Sequence, residues 1–250
     1  EPYKQLYYNI LIYRTPLKYQ NNMITRFSKA LCAAALAALS LTGCGSGETY
    51  PMASPEGLDR IKELIRANVD TSKNKIYQVS WHEDRGDRKL ENILTEVEAY
   101  YTDTENNDYR IAFTLTDGQF VTDGPKKSDR QYNSYECSTP LDLEAINLEY
   151  LKKICEEAEA MVKADEQGQK LTLRSAGMFR FRVWPVLLRE TDRWNRSEEF
   201  REESKQLEVD FEFNFVDENE SPEYQGRSIV TNYYTVAFTA NAAGEVSIDE

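Results

Sequence analysis

From Leu207 to Phe215 the chain alternates without a break. Leu207, Val209, Phe211, Phe213 and Phe215 take every second position, with Glu208, Asp210, Glu212 and Asn214 between them. A period of two sends all the apolar side chains to one face of an extended strand and the polar ones to the other, whereas a helix would scatter both kinds around its circumference. The segment must therefore be a half-buried strand, in a sheet with one face covered and the other in water, which is the antiparallel pattern. The same period runs through Tyr77, Val79 and Trp81; Ile93, Val97, Ala99 and Tyr101; Tyr109, Ile111, Phe113 and Leu115; Phe179, Phe181 and Val183; and Tyr234, Val236, Phe238 and Ala240. Asp117-Gly118 and Gly244 mark turns into short final strands at 119–122 and 245–248. With 16 Tyr, 10 Phe and 3 Trp, the chain has enough strand-forming aromatics to build a core despite a charged fraction of 29%.

Two helices are signalled in the same way. Ser54-Pro55-Glu56 and Thr139-Pro140-Leu141-Asp142 each place a capping hydroxyl before a proline, with acids in the first turn. The first helix carries Leu58, Ile61, Ile65 and Val69 at helical spacing. The second carries Leu141, Ala145, Leu148, Leu151, Cys155, Ala158 and Val162 and runs to about Ala164, before Gln167-Gly168. The order of a helix followed by four strands thus occurs twice. Tyr109-Arg110-Ile111-Ala112-Phe113-Thr114 matches Tyr234-Thr235-Val236-Ala237-Phe238-Thr239 on the third strand of each set. The expected fold class is α+β: a tandem repeat of a helix followed by four antiparallel strands, helices packed on one face of the sheet, with units at 54–138 and 139–250. By architecture alone such tandem units resemble inhibitor-type binding proteins that present a sheet face to a partner.

The N-terminal region has a different logic. Met23-Ile-Thr-Arg-Phe-Ser-Lys supplies basic residues at Arg26 and Lys29, Ala30 to Leu41 is a short Ala/Leu-rich run, and Leu41-Thr42-Gly43-Cys44 closes it. A dozen apolar residues match the hydrophobic part of a secretory signal and fall short of the ~20 that span a bilayer. The arrangement resembles the lipobox signal of bacterial lipoproteins. That resemblance implies cleavage before Cys44, lipidation of its thiol with diacylglycerol and a further acyl chain such as palmitate, and attachment to a membrane of the bacterial cell envelope. Gly45 in place of an aspartate implies the outer membrane. Two or three acyl chains at ~0.8 kcal/mol per buried CH₂ make such an anchor effectively permanent. Residues 1–22 precede the signal and are expected to be a non-native extension; 23–43 form the signal peptide and 44–53 a flexible tether. Loss of Lys4, Arg14, Lys18, Arg26, Lys29 and Glu1 would take the formal charge from −13 to −17.

An acidic surface of that size argues against nucleic acid as a partner. With one His and four Cys, no metal site is expected, and no cofactor motif is present. Cys32 leaves with the signal, so Cys137 and Cys155 remain. Two readings stand open for them: a disulfide closing a loop of 18 residues, which would contribute about 3 kcal/mol, or a small core residue at Cys155.

Catalytic signals are absent. His82 shares a strand face with Gln78 and Ser80 and is expected to be a solvated histidine at a strand end. No nucleophile motif accompanies it, so no catalytic residue is assigned. Paired carboxylates remain conceivable for an envelope hydrolase. The acidic stretches at 103–108 and 217–220 read as hairpin turns, because they lack the glycine and glutamate of a helix-loop-helix calcium site. The most distinctive segment is 174–201, where seven arginines stand against four carboxylates in an acidic chain. Arg180, Arg182 and Trp184 should share the outer face of a strand, with Arg189, Arg193 and Trp194 following. Such a face could hold an anionic or planar group by bidentate hydrogen bonds and stacking, or its arginines could pair with neighbouring carboxylates. The sequence therefore points to a membrane-tethered envelope lipoprotein with a non-enzymatic binding role, its partner an envelope protein or an anionic ligand. A hydrolase or a structural spacer are the alternatives.

Overall fold

The computed structural model describes residues 13–19, 49–86, 89–221, 223–225 and 228–249, with side chains described from residue 49 onward except across 222–230. The lipobox and Cys44 lie outside the described residues.

The strands are β1 (Tyr13–Tyr19), β2 (Asn74–Glu83), β3 (Leu94–Asp103), β4 (Asp108–Thr116), β5 (Gln119–Val121), β6 (Lys126–Lys127), β7 (Leu171–Val183), β8 (Leu207–Asp217), β9 (Glu223–Gln225), β10 (Ser228–Asn241) and β11 (Val246–Ile248). All of them join one antiparallel sheet with the order β1-β10-β8-β7-β2-β3-β4-β5; β6 lies against β4, while β9 and β11 lie against β10. Helices α1 (Pro55–Asn68) and α2 (Leu148–Ala164) bury Leu58, Ile61, Ile65, Leu151, Ile154, Ala158 and Val162 in the same core as the apolar side chains of the sheet.

The expected tandem repeat is not what forms. The strands expected in two units make a single sheet, because β2 pairs directly with β7 from Gln78↔Arg182 to His82↔Met178. The physical reason lies in the inward side chains at this seam. Trp81 stacks on Phe179 at 5.2 Å and on Phe181 at 5.5 Å, Phe179 stacks on Phe211 at 5.9 Å, and Phe211 on Phe238 at 5.1 Å. Register places Phe113, Val97, Trp81, Phe179, Phe211 and Phe238 in one row across six strands. Each aromatic pair adds about 0.5–1.5 kcal/mol beyond its area burial. Separate units would instead leave β2 and β7 as open edges with exposed backbone donors and acceptors. With the tandem units gone, the analogy to inhibitor-type proteins falls too.

Local signals fare better than the topology. Ser54 caps α1, its Oγ accepting from the Gly57 N–H at 3.0 Å. Asp117 and Gly118 both adopt positive φ, 51° and 79°, as a tight hairpin between β4 and β5 requires. The second helix starts later than Thr139-Pro140 suggests. There the Leu141 N–H donates to Ile76 O at 2.7 Å, Asp142 caps only a single 3-10 turn at Leu143–Ala145, and Asn147 caps α2 proper, accepting from the Tyr150 N–H at 2.9 Å. A second good capping residue downstream won the competition. Residues 13–19, set aside as part of an extension, form β1 against β10 from Tyr13↔Thr235 to Tyr19↔Ile229.

The segment Tyr50–Met52, which leads into α1, docks at one end of the central strands. The Leu94 N–H donates to Tyr50 O at 2.7 Å, the Met52 N–H donates to Asn92 O at 3.0 Å, and the Trp81 indole donates to Met52 O at 2.9 Å. The neighbouring loop is held by Glu83, a buried acid whose carboxylate accepts from Ser175 Oγ and Asn214 Nδ2, both at 2.7 Å, and from the Leu90 and Asn92 N–H groups, both at 3.2 Å. Leu90 and Asn92 sit at φ 71° and 57°; asparagine takes this left-handed region readily, whereas a leucine is held there by its surroundings. Burial raises the Glu83 carboxyl above its ordinary value against the pull of these donors.

If the sheet is one cooperative body, Phe179→Ala, at a fully buried position, should lower stability by about 3–5 kcal/mol. Urea unfolding of that variant, followed by circular dichroism and by tryptophan fluorescence, should give coincident single transitions. Two separated transitions would show the halves folding independently.

Candidate functional site

The side of the sheet away from α1 and α2 is a ruled grid of mostly polar side chains. Register aligns Glu208, Arg182, Gln78, Tyr100 and Arg110 in one row across β8, β7, β2, β3 and β4; Asp210, Arg180, Ser80, Glu98 and Ala112 in the next; and Glu212, Met178, His82, Glu96 and Thr114 in a third. Arg180, Arg182 and Trp184 do share this face. Their charges, however, are already matched. Arg182 Nε donates to Glu208 at 3.1 Å and its Nη2 reaches both Glu208 and Asp210, the latter at 3.3 Å; Arg180 meets Asp210 at 3.3 Å. Burial pushes on the Glu208 carboxyl, but the hydrogen bonds from Arg182 and Trp184 prevail and hold it below its ordinary value. Burial raises Asp210, with Arg182 opposing. The face is thus self-neutralised, and the expectation of an anion held by Arg180 and Arg182 loses its basis.

Trp184 stands out on this face. It is 54% exposed, yet its orientation is fixed: the indole Nε1 donates to Glu208 Oε2 at 3.1 Å, and the Arg182 guanidinium lies 3.9 Å from the ring centroid. Beyond β7 the chain folds over the same face as α3 (Thr191–Arg196) and α4 (Glu198–Glu203). Ser197 links them, capping α4 by accepting from the Phe200 N–H at 3.1 Å. Between this cover and the sheet lies a cleft of about 490 Å³, lined by Tyr77, Gln78, Asn133, Arg182, Trp184, Val186, Leu187, Glu190, Phe200 and Glu203, among others. That size is within the usual range for small-molecule sites.

The other residues singled out in this segment divide. Arg193 lies 4.0 Å over the Phe200 ring and 3.9 Å from Glu203, so it buttresses the cleft wall. Trp194 does not line the cleft; its carbonyl accepts from Arg201 at 2.9 Å. Arg189 is exposed, outside the cleft lining, and has no ion-pair partner among the described residues.

Tyr77, Gln78, Asn133 and Phe200 were not singled out as site residues in the sequence. Alternation assigned Tyr77 to the core, but a register shift between Ile76 and Gln78 moves it out of phase and into the cleft lining beside Gln78. There Asn133 lines the cleft beside it, and burial pushes the Tyr77 phenol up. Asn133 is held in turn by Asp108, whose carboxylate accepts from Asn133 Nδ2 at 2.8 Å and from the Tyr132 N–H at 2.9 Å. The carboxylates Glu208 and Asp210 could have been suspected from the strict alternation of β8, but only the strand order reveals that they face Arg182 and Arg180.

Three further expectations are corrected or located. His82 is not solvated; only 7% of it is exposed, and Arg85 Nη2 lies 3.0 Å from its Nδ1. Cys137 and Cys155 are both buried free thiols; Cys155 packs in the core between α2 and the sheet, and burial pushes its thiol up. The acidic stretch 103–108 is a hairpin turn, with Asp103 Oδ1 accepting from the Glu105 and Asn107 N–H groups at 2.9 and 2.8 Å. Among the described residues no group of three or more His, Cys, Asp or Glu side chains is placed to hold a metal ion.

The outer face does bring two carboxylates together. Glu96 and Glu98 point outward from alternate positions of β3, and Glu98 is taken up by Arg110 and by the Tyr100 hydroxyl at 3.2 Å. Burial and Glu98 raise Glu96, whereas Arg110 and Tyr100 outweigh burial to lower Glu98. With Glu98 committed to Arg110 and Tyr100, this pair has no free carboxylate to act as the second group of a glycoside hydrolase. Comparison with protein families, curated proteins and solved structures returns no match for this chain.

Burial, with Arg85 and Arg180 adding to it, lowers the His82 pKa from 6.5 to about 4. A depressed imidazole contributes stability that is present above the unfolded value and lost as pH falls toward the folded one. Relative to His82→Gln, the wild-type protein should therefore lose about 3 kcal/mol of stability between pH 7 and pH 4, read by urea unfolding at each pH. A constant difference between the two proteins would show that His82 is not desolvated.

Proposed function

We propose that this chain is a lipid-anchored protein of the bacterial cell envelope whose work is non-enzymatic binding, with the ligand held in the cleft beneath Trp184. The observation that carries the binding role is the state of that indole. A large aromatic ring is left half in solvent while a carboxylate and a guanidinium fix its orientation, so the entropy of ordering it is spent before any ligand arrives. Around it the cleft combines apolar walls with a few convergent polar groups, the usual make-up of a small-ligand site. The perturbed groups on this face serve structure: His82 is buried against Arg85, and Glu98 is held by Arg110 and Tyr100.

The anchoring half of the proposal rests on the lipobox-like Leu41-Thr42-Gly43-Cys44 and its preceding basic and apolar stretches; cleavage before Cys44 would remove β1 and leave β10 without that partner. Among the described residues no helix is long and apolar enough to cross a membrane.

Cys44→Ala should abolish acyl labelling and move the protein from the membrane to the soluble fraction; unchanged fractionation would refute the anchor. For the cleft, a photocrosslinking residue placed at Leu187 should give a discrete adduct in intact cells that disappears when Trp184→Ala is added. An adduct indifferent to Trp184, or none at all, would refute the site.

A further inference from the structure

We infer that the cleft takes an uncharged sugar ring, stacked on the Trp184 indole with its hydroxyls turned to Gln78, Glu190 and Glu203; this rests on the proposal that the cleft is a ligand site. Charge excludes the obvious alternatives. An anion would find one cation in the lining, Arg182, already shared between Glu208 and Asp210, while Glu190 and Glu203 would repel it. A cation would be drawn to those carboxylates and to the aromatic faces, but the exposed Trp184 ring and the half-buried Phe200 ring each already carry a guanidinium: Arg182 at 3.9 Å over Trp184 and Arg193 at 4.0 Å over Phe200. A second positive charge against either ring would meet the first across the thickness of the π-system. What remains is a neutral guest.

Hydrogen-bonding capacity narrows the class further. The Gln78 side chain lines the cleft and makes no hydrogen bond among the described residues, so one donor pair and one acceptor are uncommitted. Glu190 accepts only a long bond, from the Leu187 N–H at 3.4 Å, and Glu203 is contacted by Arg193 at 3.9 Å. Two carboxylates and an amide offer several acceptors and a donor pair, spread around a flat aromatic platform. A planar hydrophobic guest would leave these groups desolvated and unpaired. A pyranose satisfies both halves, with its axial C–H face on the indole and its equatorial hydroxyls on the acceptors.

The test uses the full chain labelled with ¹⁵N-tryptophan in detergent solution. The Trp184 indole N–H signal is identified by its absence from Trp184→Phe, and that of buried Trp81 serves as internal control. Maltotriose, cellotriose and chitotriose are titrated in parallel with choline and inorganic phosphate. A saturable shift of the Trp184 signal with at least one trisaccharide, weakened about fivefold by Gln78→Ala and absent with both ions, is the expected result. A shift with choline or phosphate and with no trisaccharide overturns the sugar assignment while leaving the cleft as a binding site. Silence from every probe overturns the sugar assignment as well, and the crosslinking at Leu187 then judges the cleft independently.

Discussion

The structure depends on the seam between β2 and β7. Only five residue pairs join the strands there, from Gln78↔Arg182 to His82↔Met178, yet every strand of the sheet is connected through it. Backbone pairing alone over so short a ladder would be a weak hinge. The stacked, fully buried rings of Trp81, Phe179 and Phe181 reinforce it, because flat side chains on adjacent strands bury large areas without needing long strands. The same seam positions the outer face. Since Arg182 sits opposite Gln78 on one side and Glu208 on the other, the pairing that closes the core also aligns the row of polar side chains from which the Trp184 cleft is built.

A second constraint acts at the end of the sheet where Tyr50–Met52 docks. Glu83 takes up four donors, two from side chains on β7 and β8 and two from the backbone of a loop held in left-handed conformations. The arrangement satisfies every acceptor direction of a buried carboxylate, which keeps an expensive burial tolerable. Through Asn92, whose carbonyl accepts the Met52 N–H and whose side chain accepts the Ala176 N–H at 3.0 Å, the Tyr50–Met52 segment is tied to the same network.

How much of this was legible beforehand depended on the range of the interaction. The Ser54 cap, the Asp117-Gly118 turn and the alternating strands are local, and their residues carry the signal within a few positions. The seam is not local. Nothing in the sequences of β2 and β7 distinguishes two strands that end separate units from two that meet, because the same aromatic alternation serves both outcomes. The bulge at Tyr77 is similarly silent, since it arises where Leu141, some sixty positions later, takes the Ile76 carbonyl. For the site, Arg180, Arg182 and Trp184 were visible as a face, but whether their charge was free to act required knowing that β8 lies beside β7. Neighbouring strands, not neighbouring residues, decided the chemistry.

The segment Tyr50–Met52 and the cleft under Trp184 lie at opposite ends of the central strands, with β2 running between them. From Glu83 back to Tyr77 the strand covers roughly 20 Å. A protein held to a bilayer through Cys44 would therefore stand its cleft off the lipid surface like a lamp on a post. Guests too bulky or too water-loving to approach the headgroups could still reach it.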